Sequence, residues 1–572
     1  MTKREEIGKH YQASPEVSVL IVGGGINGVG LFRELALQGV DVLLVERSDF
    51  CSGASAASSR MIHGGLRYLE FGEFRLVREA VRERNLLLQN APHYVTPLKT
   101  TIPIFSFWSG MGSSIARFLG LNLNRPAHRG ALMVRLGLSV YDLLTRKHRM
   151  TPRHTFSSRK AALEKRPGLN PGLRYTATFY DGLISYPERL GLELIMDGED
   201  LCPEAHALNY VDVQEAADDT VTLRDHISGE SFSVRPRTVV NATGAWIDFT
   251  NKRLGHATQL IGGTKGAHLV LDNPALFETL DDDMIYYETP DGRVAVVLPW
   301  LGKALIGSTD IRIDDPDKIR CTDEEINYII SAVAEAFPKM EINRSQIISQ
   351  FTGARPLPHS GESTVAVSRD HSCTTLPPSD GIAFPVHSMV GGKWTTFRGF
   401  SEEMADRLLG ELGRERRMGT GDLPIGGGKD FPLGDAGRVQ WITKAAKETA
   451  LSQARVDALL ARYGTRALDV ARYMTEEEDS PVTGLPGYSR REIAFMALHE
   501  QVAHLEDLVL RRTALALRGD LTQEILAEIA EILAEAVGWT QEERAEELAR
   551  AETLLRERHS ITLNKTTTGK TL

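Results

Sequence analysis

Residues 17–47 read VSVLIVGGGINGVGLFRELALQGVDVLLVER. The apolar run Val17 to Val22 predicts a buried parallel strand. Gly23, Gly25 and Gly28 follow at G-x-G-x-x-G spacing and open a helix. A second apolar run, Val40 to Val45, ends on Glu46. Strand, glycine turn, helix, strand and acid in that order make a dinucleotide-binding βαβ unit. Gly23 permits the tight turn, Gly25 lets the backbone approach a pyrophosphate, and Gly28 lets the helix pack close on the strand. The helix N-terminus offers free N–H groups and a positive dipole end to phosphates. Glu46, followed by Arg47, stands where a carboxylate can accept hydrogen bonds from a ribose.

The 572 residues suggest about three or four domain-sized units. A hydrophobic share of 42% and a charged share of 25% are those of a folded globular chain. The formal net charge of −10 gives no reason to expect a nucleic-acid partner. Cys51, Cys202, Cys321 and Cys373 are scattered and form no C-x-x-C pair, so no metal site is expected. Sparse cysteine suits a reducing cytoplasm. The polar N-terminus lacks the apolar core of a signal peptide, and no apolar run of about 18 residues predicts a spanning helix.

Beyond Arg47, residues 52–59 are small and polar, and His63, Gly64, Gly65, Leu66, Arg67 and Tyr68 follow. Such a loop can wrap a flat cofactor and donate N–H and O–H groups. Residues 74–88 predict an amphipathic helix with arginines on its polar face. Between Lys99 and Met150, seven cations (Arg117, Arg125 and Arg129 among them) interleave with apolar residues, and Asp142 is the one acid. That pattern fits a surface lying on anionic lipid; a basic helical pair over a core, or a wall of the substrate cavity, fits it as well. Alternating strands over residues 211–246 predict a three-stranded meander with a turn at Ser228–Gly229. Residues 262–310 predict a second, largely antiparallel sheet. Thr322–Glu325, Ser489–Glu492 and Thr540–Glu543 read as helix capping boxes. Residues 420–435 are Gly/Pro-rich and read as a linker, and the chain beyond them reads as helical. There, His499, Glu500, Arg511 and Arg512 read as packing and ion-pair residues, 521–556 as a solvated helical end, and the tail from Asn564 as disordered.

The GGGINGVG turn and the run ASAASSRMIHGGLRYLE over residues 54–70 resemble the flavin-dependent glycerol-3-phosphate dehydrogenases. That family usually carries lysine where this chain has Arg60. KGAH, LPW, GSTD, FTGARPLP, VAVSRDH and HSMVGGKWTTFR follow in family order, so the resemblance covers nearly all of residues 15–410. Two departures stand out. Ala267 replaces a serine, and Tyr186 and Pro187 stand where the family has an acidic pair, with Glu188 and Arg189 next. No role is assigned to that loop.

The resemblance implies an α/β fold: a Rossmann-like FAD-binding domain interleaved with an antiparallel-sheet substrate domain, then a C-terminal all-helical domain. The implied FAD-binding pieces are 15–100, 191–261 and 351–410. Residues 101–190 would form a cap and membrane-contact segment, 262–350 the substrate sheet, 411–435 a linker and 436–560 the helical domain. FAD is the implied cofactor. Its expected contacts in the first glycine turn are Gly23, Gly25, Ile26, Asn27 and Gly28, with Glu46 and Arg47. The loop adds Ser55, Ser59, His63, Gly64, Gly65 and Leu66, and the later motifs add Gly244, Arg355, Gly392, Lys393 and Thr395.

Oxidising a secondary alcohol with a flavin needs a base for the hydroxyl proton and positive charge beside the anion that forms. A phosphorylated substrate adds a need for Arg or Lys. The resemblance puts Arg67, Tyr68, Arg369 and Lys393 around the phosphate, with Arg355 and Lys393 on the C2 and C3 oxygens. Arg355 is the family's base, though a guanidinium is a poor one; His268 is the alternative. The expected reaction is oxidation of sn-glycerol 3-phosphate to dihydroxyacetone phosphate, with electrons passed to a membrane quinone. An O₂-reducing oxidase of the same superfold, acting on glycerol 3-phosphate or on an amine or amino acid, is one alternative. An FAD-bound protein without activity is the other. The expected location is cytoplasmic, peripheral on the inner face of the membrane; a homodimer stays open.

Overall fold

The computed structural model describes residues 3–66, 73–107, 130–144, 150–359 and 370–564. Two sheets share the first 400 residues. The first runs in the order Ser372–Leu376, Val386–Val390, Ser231–Asn241, Glu16–Val22, Val42–Glu46, Ala205–Asn209. All its neighbours are parallel except the first pair. Strand Glu16–Val22 is buried beyond its first residue, as a strand covered on both faces must be. Helices Ile26–Leu37, Pro187–Leu201 and Phe397–Leu412 cover one face around Phe32, Leu194 and Phe400. The predicted meander is Val211–Ala217, Thr220–Asp225 and Ser231–Asn241.

The second sheet holds ten strands among the described residues. Its centre, Thr264–Leu271, Lys303–Gly307, Val294–Trp300 and Asp283–Glu288, is antiparallel. Asp283–Glu288 then pairs parallel with Val95–Ile104, so strands from both sides of the nucleotide sheet's sequence meet here. Ile347–Arg355 lies antiparallel on Thr264–Leu271, in register Gly266 with Gly353. The chain thus passes repeatedly between the sheets, and the interleaved α/β architecture stands as expected.

The C-terminal unit is helical with one exception, a short hairpin of Pro481–Val482 and Leu485–Ser489. The capping boxes at Thr322 and Thr540 are complete. At Ser489 only half forms: Ser489 accepts from the Glu492 N–H, while the Glu492 carboxylate is drawn to Arg455 and Arg462. Of residues 521–556, helix Gln541–His559 buries Ala551 and Leu555 and is otherwise mostly exposed, as a solvated end is, whereas the helix before it is not. Helix Gln523–Val537 buries Ile525, Leu526, Ile529 and Leu533 in a core shared with the second sheet. The glutamates occupy its other face, and composition hid the stripe. Residues 420–435 connect the units but are packed: Ile425 N–H donates to the Asn90 carbonyl, and Thr420 is buried against Glu34. The tail beyond 564 lies outside the described residues. No helix among those described is long and apolar enough to cross a membrane.

Candidate active site

At the end of Glu16–Val22 the chain turns through Gly23 at φ +111°, a conformation that excludes a side chain. A Cβ on Gly28 would overlap the Gly23 carbonyl oxygen, whereas one on Gly25 would meet only Ser55 Oγ, at 3.5 Å. The space over Gly25 is thus left open by the protein, as backbone that receives a phosphate requires. The Ile26 N–H donates to Ser55 Oγ at 3.0 Å, and Trp394 Nε1 donates to the Ser55 carbonyl at 2.9 Å. Asn27 Nδ2 reaches the Gly391 carbonyl at 3.1 Å, tying the first glycine turn to the last. Glu46 accepts the Gly24 N–H at 2.7 Å and the Ser48 N–H at 2.9 Å. Burial raises its carboxyl above the ordinary value, against these two bonds. Each oxygen keeps a lone pair for a further donor.

A cavity of about 1070 Å³ opens from this turn and runs between the two sheets. Gly23, Gly25, Ile26, Asn27, Glu46 and Arg47 line one end. Ser55, Ser59, His63, Gly244, Gly392 and Lys393 line the middle. His268 and Arg355 line it from the second sheet. Gly28, Gly64, Gly65, Leu66 and Thr395 stand behind that wall. Thr395 Oγ1 accepts the His63 N–H at 3.1 Å, the Gly64 N–H donates to Asp181 at 2.8 Å, and Leu66 packs with Val77 and Val81. Arg67, Tyr68 and Arg369 fall outside the described residues, as do Arg117, Arg125 and Arg129.

Arg355 ends its strand and is held by Asp310 at 2.9 Å, Ser308 Oγ at 3.2 Å and the Thr309 carbonyl at 3.1 Å. His268 is buried, with Nε2 2.7 Å from Ser59 Oγ. Its Nδ1 is buried and meets no hydrogen-bond partner among the described residues. Burial, then the guanidinium groups of Arg355 and Arg60, push the imidazole down to about 3, so it is neutral at working pH. Behind it lies a layered stack. His268 lies nearly parallel to Phe351 with ring centroids 5.2 Å apart, and the Arg60 guanidinium sits 5.7 Å from Phe351 and 5.0 Å from Trp300.

Arg60 is bound through Nη1 to both Glu188 oxygens, at 2.8 and 2.9 Å. Arg60, which stands where the family usually has lysine, therefore meets Glu188, next to the altered Tyr186–Pro187 positions, in one buried ion pair, and Pro187 starts the helix at its favoured first position. Sequence reasoning left this loop without a role. It also left out Asp49, buried between Arg511 and Arg512 of the C-terminal unit. Arg511, Leu554 and His559 of that unit line the cavity too. Arg189 reaches across to Glu500 at 2.7 Å, the ion-pair duty expected of Glu500.

An open glycine turn, an acid at the next strand, a buried imidazole nitrogen without a partner among the described residues and cations across the cleft define a dinucleotide-dependent oxidoreductase. The residues fit FAD, whose isoalloxazine needs a dry pocket beyond the pyrophosphate turn. The family described as FAD dependent oxidoreductase matches residues 18–407, and the C-terminal domain of alpha-glycerophosphate oxidase matches residues 418–544. Glycerol-3-phosphate dehydrogenase of Synechocystis sp. is 34% identical over 561 residues, 92% of this chain and 94% of that one. The enzyme of the same name from Pseudomonas aeruginosa is 30% identical over 518 residues, 89% and 93% of the two chains. Glycerol-3-phosphate dehydrogenase from Bacillus halodurans, solved with FAD, shares the fold at TM-score 0.75 and 24% identity, over 97% of this chain and 98% of that one. The chain belongs to the FAD-dependent oxidoreductase family and, within it, to the group that these glycerol-3-phosphate dehydrogenases represent.

Proposed function

We propose that the protein oxidises sn-glycerol 3-phosphate to dihydroxyacetone phosphate. The observation that carries this reading is the meeting of Arg355, Lys393 and a neutral His268 on one cavity shared with the dinucleotide turn. The names of the relatives support the substrate. Bound FAD supplies the acceptor for the carbinol hydride. Arg355, fixed by Asp310, and Lys393 donate to the substrate oxygens and stabilise the anion as the hydroxyl proton leaves. Arg355, a guanidinium, is a poor proton acceptor; His268, joined to the cavity wall through Ser59 Oγ, takes the hydroxyl proton, although burial weakens it as a base. Arg67, Tyr68, Arg369 and Lys393 receive the phosphate. Anaerobic addition of glycerol 3-phosphate bleaches the flavin absorbance of the holoprotein; no bleaching, or bleaching by a neutral amine instead, ends this reading.

The electrons go on to a membrane quinone from the inner face of the cytoplasmic membrane. Helix Ala131–Leu144 supports that location: it buries Val134, Leu138 and Tyr141 while exposing Leu132, Leu136 and Leu143, the last by 67%. A helix with a second apolar side turned outward beside a basic segment suits an anionic lipid surface. The match of residues 418–544 to an oxidase domain keeps O₂ as a second acceptor. Mixing reduced protein with quinone or with O₂ in a stopped-flow instrument decides between them by the faster reoxidation.

A further inference from the structure

Helix Gln541–His559 ends beside the cavity, and one residue of strand Ile347–Arg355 fixes that end. The Gln350 carbonyl accepts from His559 Nδ1 at 2.9 Å, and Gln350 Nε2 donates to Ser560 Oγ at 2.6 Å. Ser560 turns the chain through φ +54°, and the Ile561 N–H returns to the Leu555 carbonyl at 3.0 Å. The ring of His559 is held in place rather than left on a fraying terminus.

Its tautomer is fixed as well. A carbonyl oxygen only accepts, so Nδ1 carries the hydrogen and Nε2 carries a bare lone pair. Burial pulls this imidazole down to about 4; the bond to Gln350 opposes that, and Arg511 and Arg558 reinforce it. The ring is neutral at neutral pH. The Gln350 carbonyl is its one hydrogen-bond partner among the described residues, and the ring stands in the cavity wall with Arg511 and Leu554.

A lone pair on a neutral nitrogen repels phosphate oxygens and accepts only from N–H or O–H donors. FAD carries such donors on its ribityl chain, ribose, adenine and isoalloxazine. We propose that His559 Nε2 accepts a hydrogen bond from a hydroxyl or amino group of the bound dinucleotide, so that the end of the C-terminal unit is a third wall of the cofactor site. Residue 559 lies beyond both matched family segments, 18–407 and 418–544, so neither assigns it. The same unit also grips the root of the cofactor loop: Arg512 donates to Asp49 at 2.6 and 2.9 Å, three residues after Glu46.

The inference rests on the cavity being the FAD site, which titration of the unaltered, FAD-depleted protein with FAD tests separately. Three variants test His559. His559→Asn keeps an N–H for the Gln350 carbonyl and loses the far acceptor. His559→Phe loses both. His559→Gln places an amide oxygen where Nε2 stood. One neutral hydrogen bond corresponds to roughly a fivefold change in affinity, so the Asn and Phe variants are expected to bind FAD about fivefold more weakly, and Gln close to the parent. ADP and FMN titrations of the Asn variant tell which half of the cofactor carries the donor: the half whose affinity falls. Unchanged FAD affinity in His559→Asn overturns the proposal. So does a loss of affinity in His559→Asn accompanied by a loss of FAD-free folding stability of the same free energy, which would make the histidine a structural pin only.

Discussion

The two glycines of one motif have opposite tests. Gly28 is a packing residue: a methyl there overlaps the Gly23 backbone oxygen, which cannot rotate away. Gly28→Ala is expected to lower stability by about 1–3 kcal/mol through overpacking, seen as an earlier thermal transition without FAD. Gly25 has room on the protein side. Gly25→Ala costs about 1 kcal/mol or less as a changed helix N-cap, yet fills the approach path of the pyrophosphate. The FAD-free variant should unfold like the parent, while the purified protein carries little flavin absorbance. At His268 the expectation concerns pH. An imidazole held at about 3 does not change charge between pH 5 and 7, so the rate of flavin reduction by substrate should show no limb from it there, and His268→Gln should slow reduction at every pH in that range. A limb near pH 6.5 that vanishes in the variant would show an ordinary, hydrated histidine. The glycine roles were legible because each follows from residues a few positions away. The Arg60–Glu188 pair was not, because its partners stand 128 positions apart and only the folded sheet brings them together.

Elements were legible where one periodicity held and misread where composition masked it. The run Val17–Val45 announces its strands and helix because both faces of the sheet are covered, so Val19–Val22 and Val42–Val45 are unbroken apolar runs. Helix Gln523–Val537 looks solvated when its glutamates are counted, yet Ile525, Leu526, Ile529 and Leu533 recur at helical spacing and are buried. Helix Phe74–Asn90 shows the converse. Its arginines were expected on a polar face, and Arg84 is buried, donating to the Tyr180 carbonyl at 2.9 Å. For helix Ala131–Leu144 one apolar side is packed and the other is exposed. Val134, Leu138 and Tyr141 face the protein, so replacing Leu132, Leu136 and Leu143 with serine leaves the packed side intact. The triple variant is expected to keep its thermal transition within about 1 kcal/mol of the parent, since exposed changes cost little, and to sediment with anionic vesicles several-fold less. Equal sedimentation would take the membrane contact away from this helix.

Across the whole molecule, the cavity is walled by two sheets and a helical unit that alternate along the sequence, so its cations come together only when all three dock. That docking relies on charge withdrawn from water. Asp49 lies between Arg511 and Arg512, Arg189 holds Glu500, and the Tyr210 hydroxyl donates to Asp507. Burial raises the Asp49 carboxyl, but Arg512 and Arg511 outweigh it and hold it well below the usual carboxylate range. A carboxyl lowered in this way stabilises the fold above its unfolded value of about 3.9, and that contribution is lost as the pH falls through the folded one. The depressed histidines act earlier: the neutral His268 and His559 stabilise the fold above about 6.5 and lose that contribution as the pH falls toward their folded values. Glu46 and Glu188, raised by burial, oppose the trend in acid, so the comparison with a variant is more telling than the parent's curve alone. Asp49→Asn at neutral pH leaves the buried Arg512 guanidinium without its carboxylate, while Arg511 keeps Asp507, a loss of about 3–5 kcal/mol concentrated at one interface. Calorimetry of the parent near pH 7 should give one unfolding peak, because the units are fastened together without the cofactor. In Asp49→Asn the helical unit should separate first and the peak divide, as the parent's should below pH 4. A single, undivided peak in the variant would mean that apolar packing around Leu508 and Ile529 holds the units together by itself.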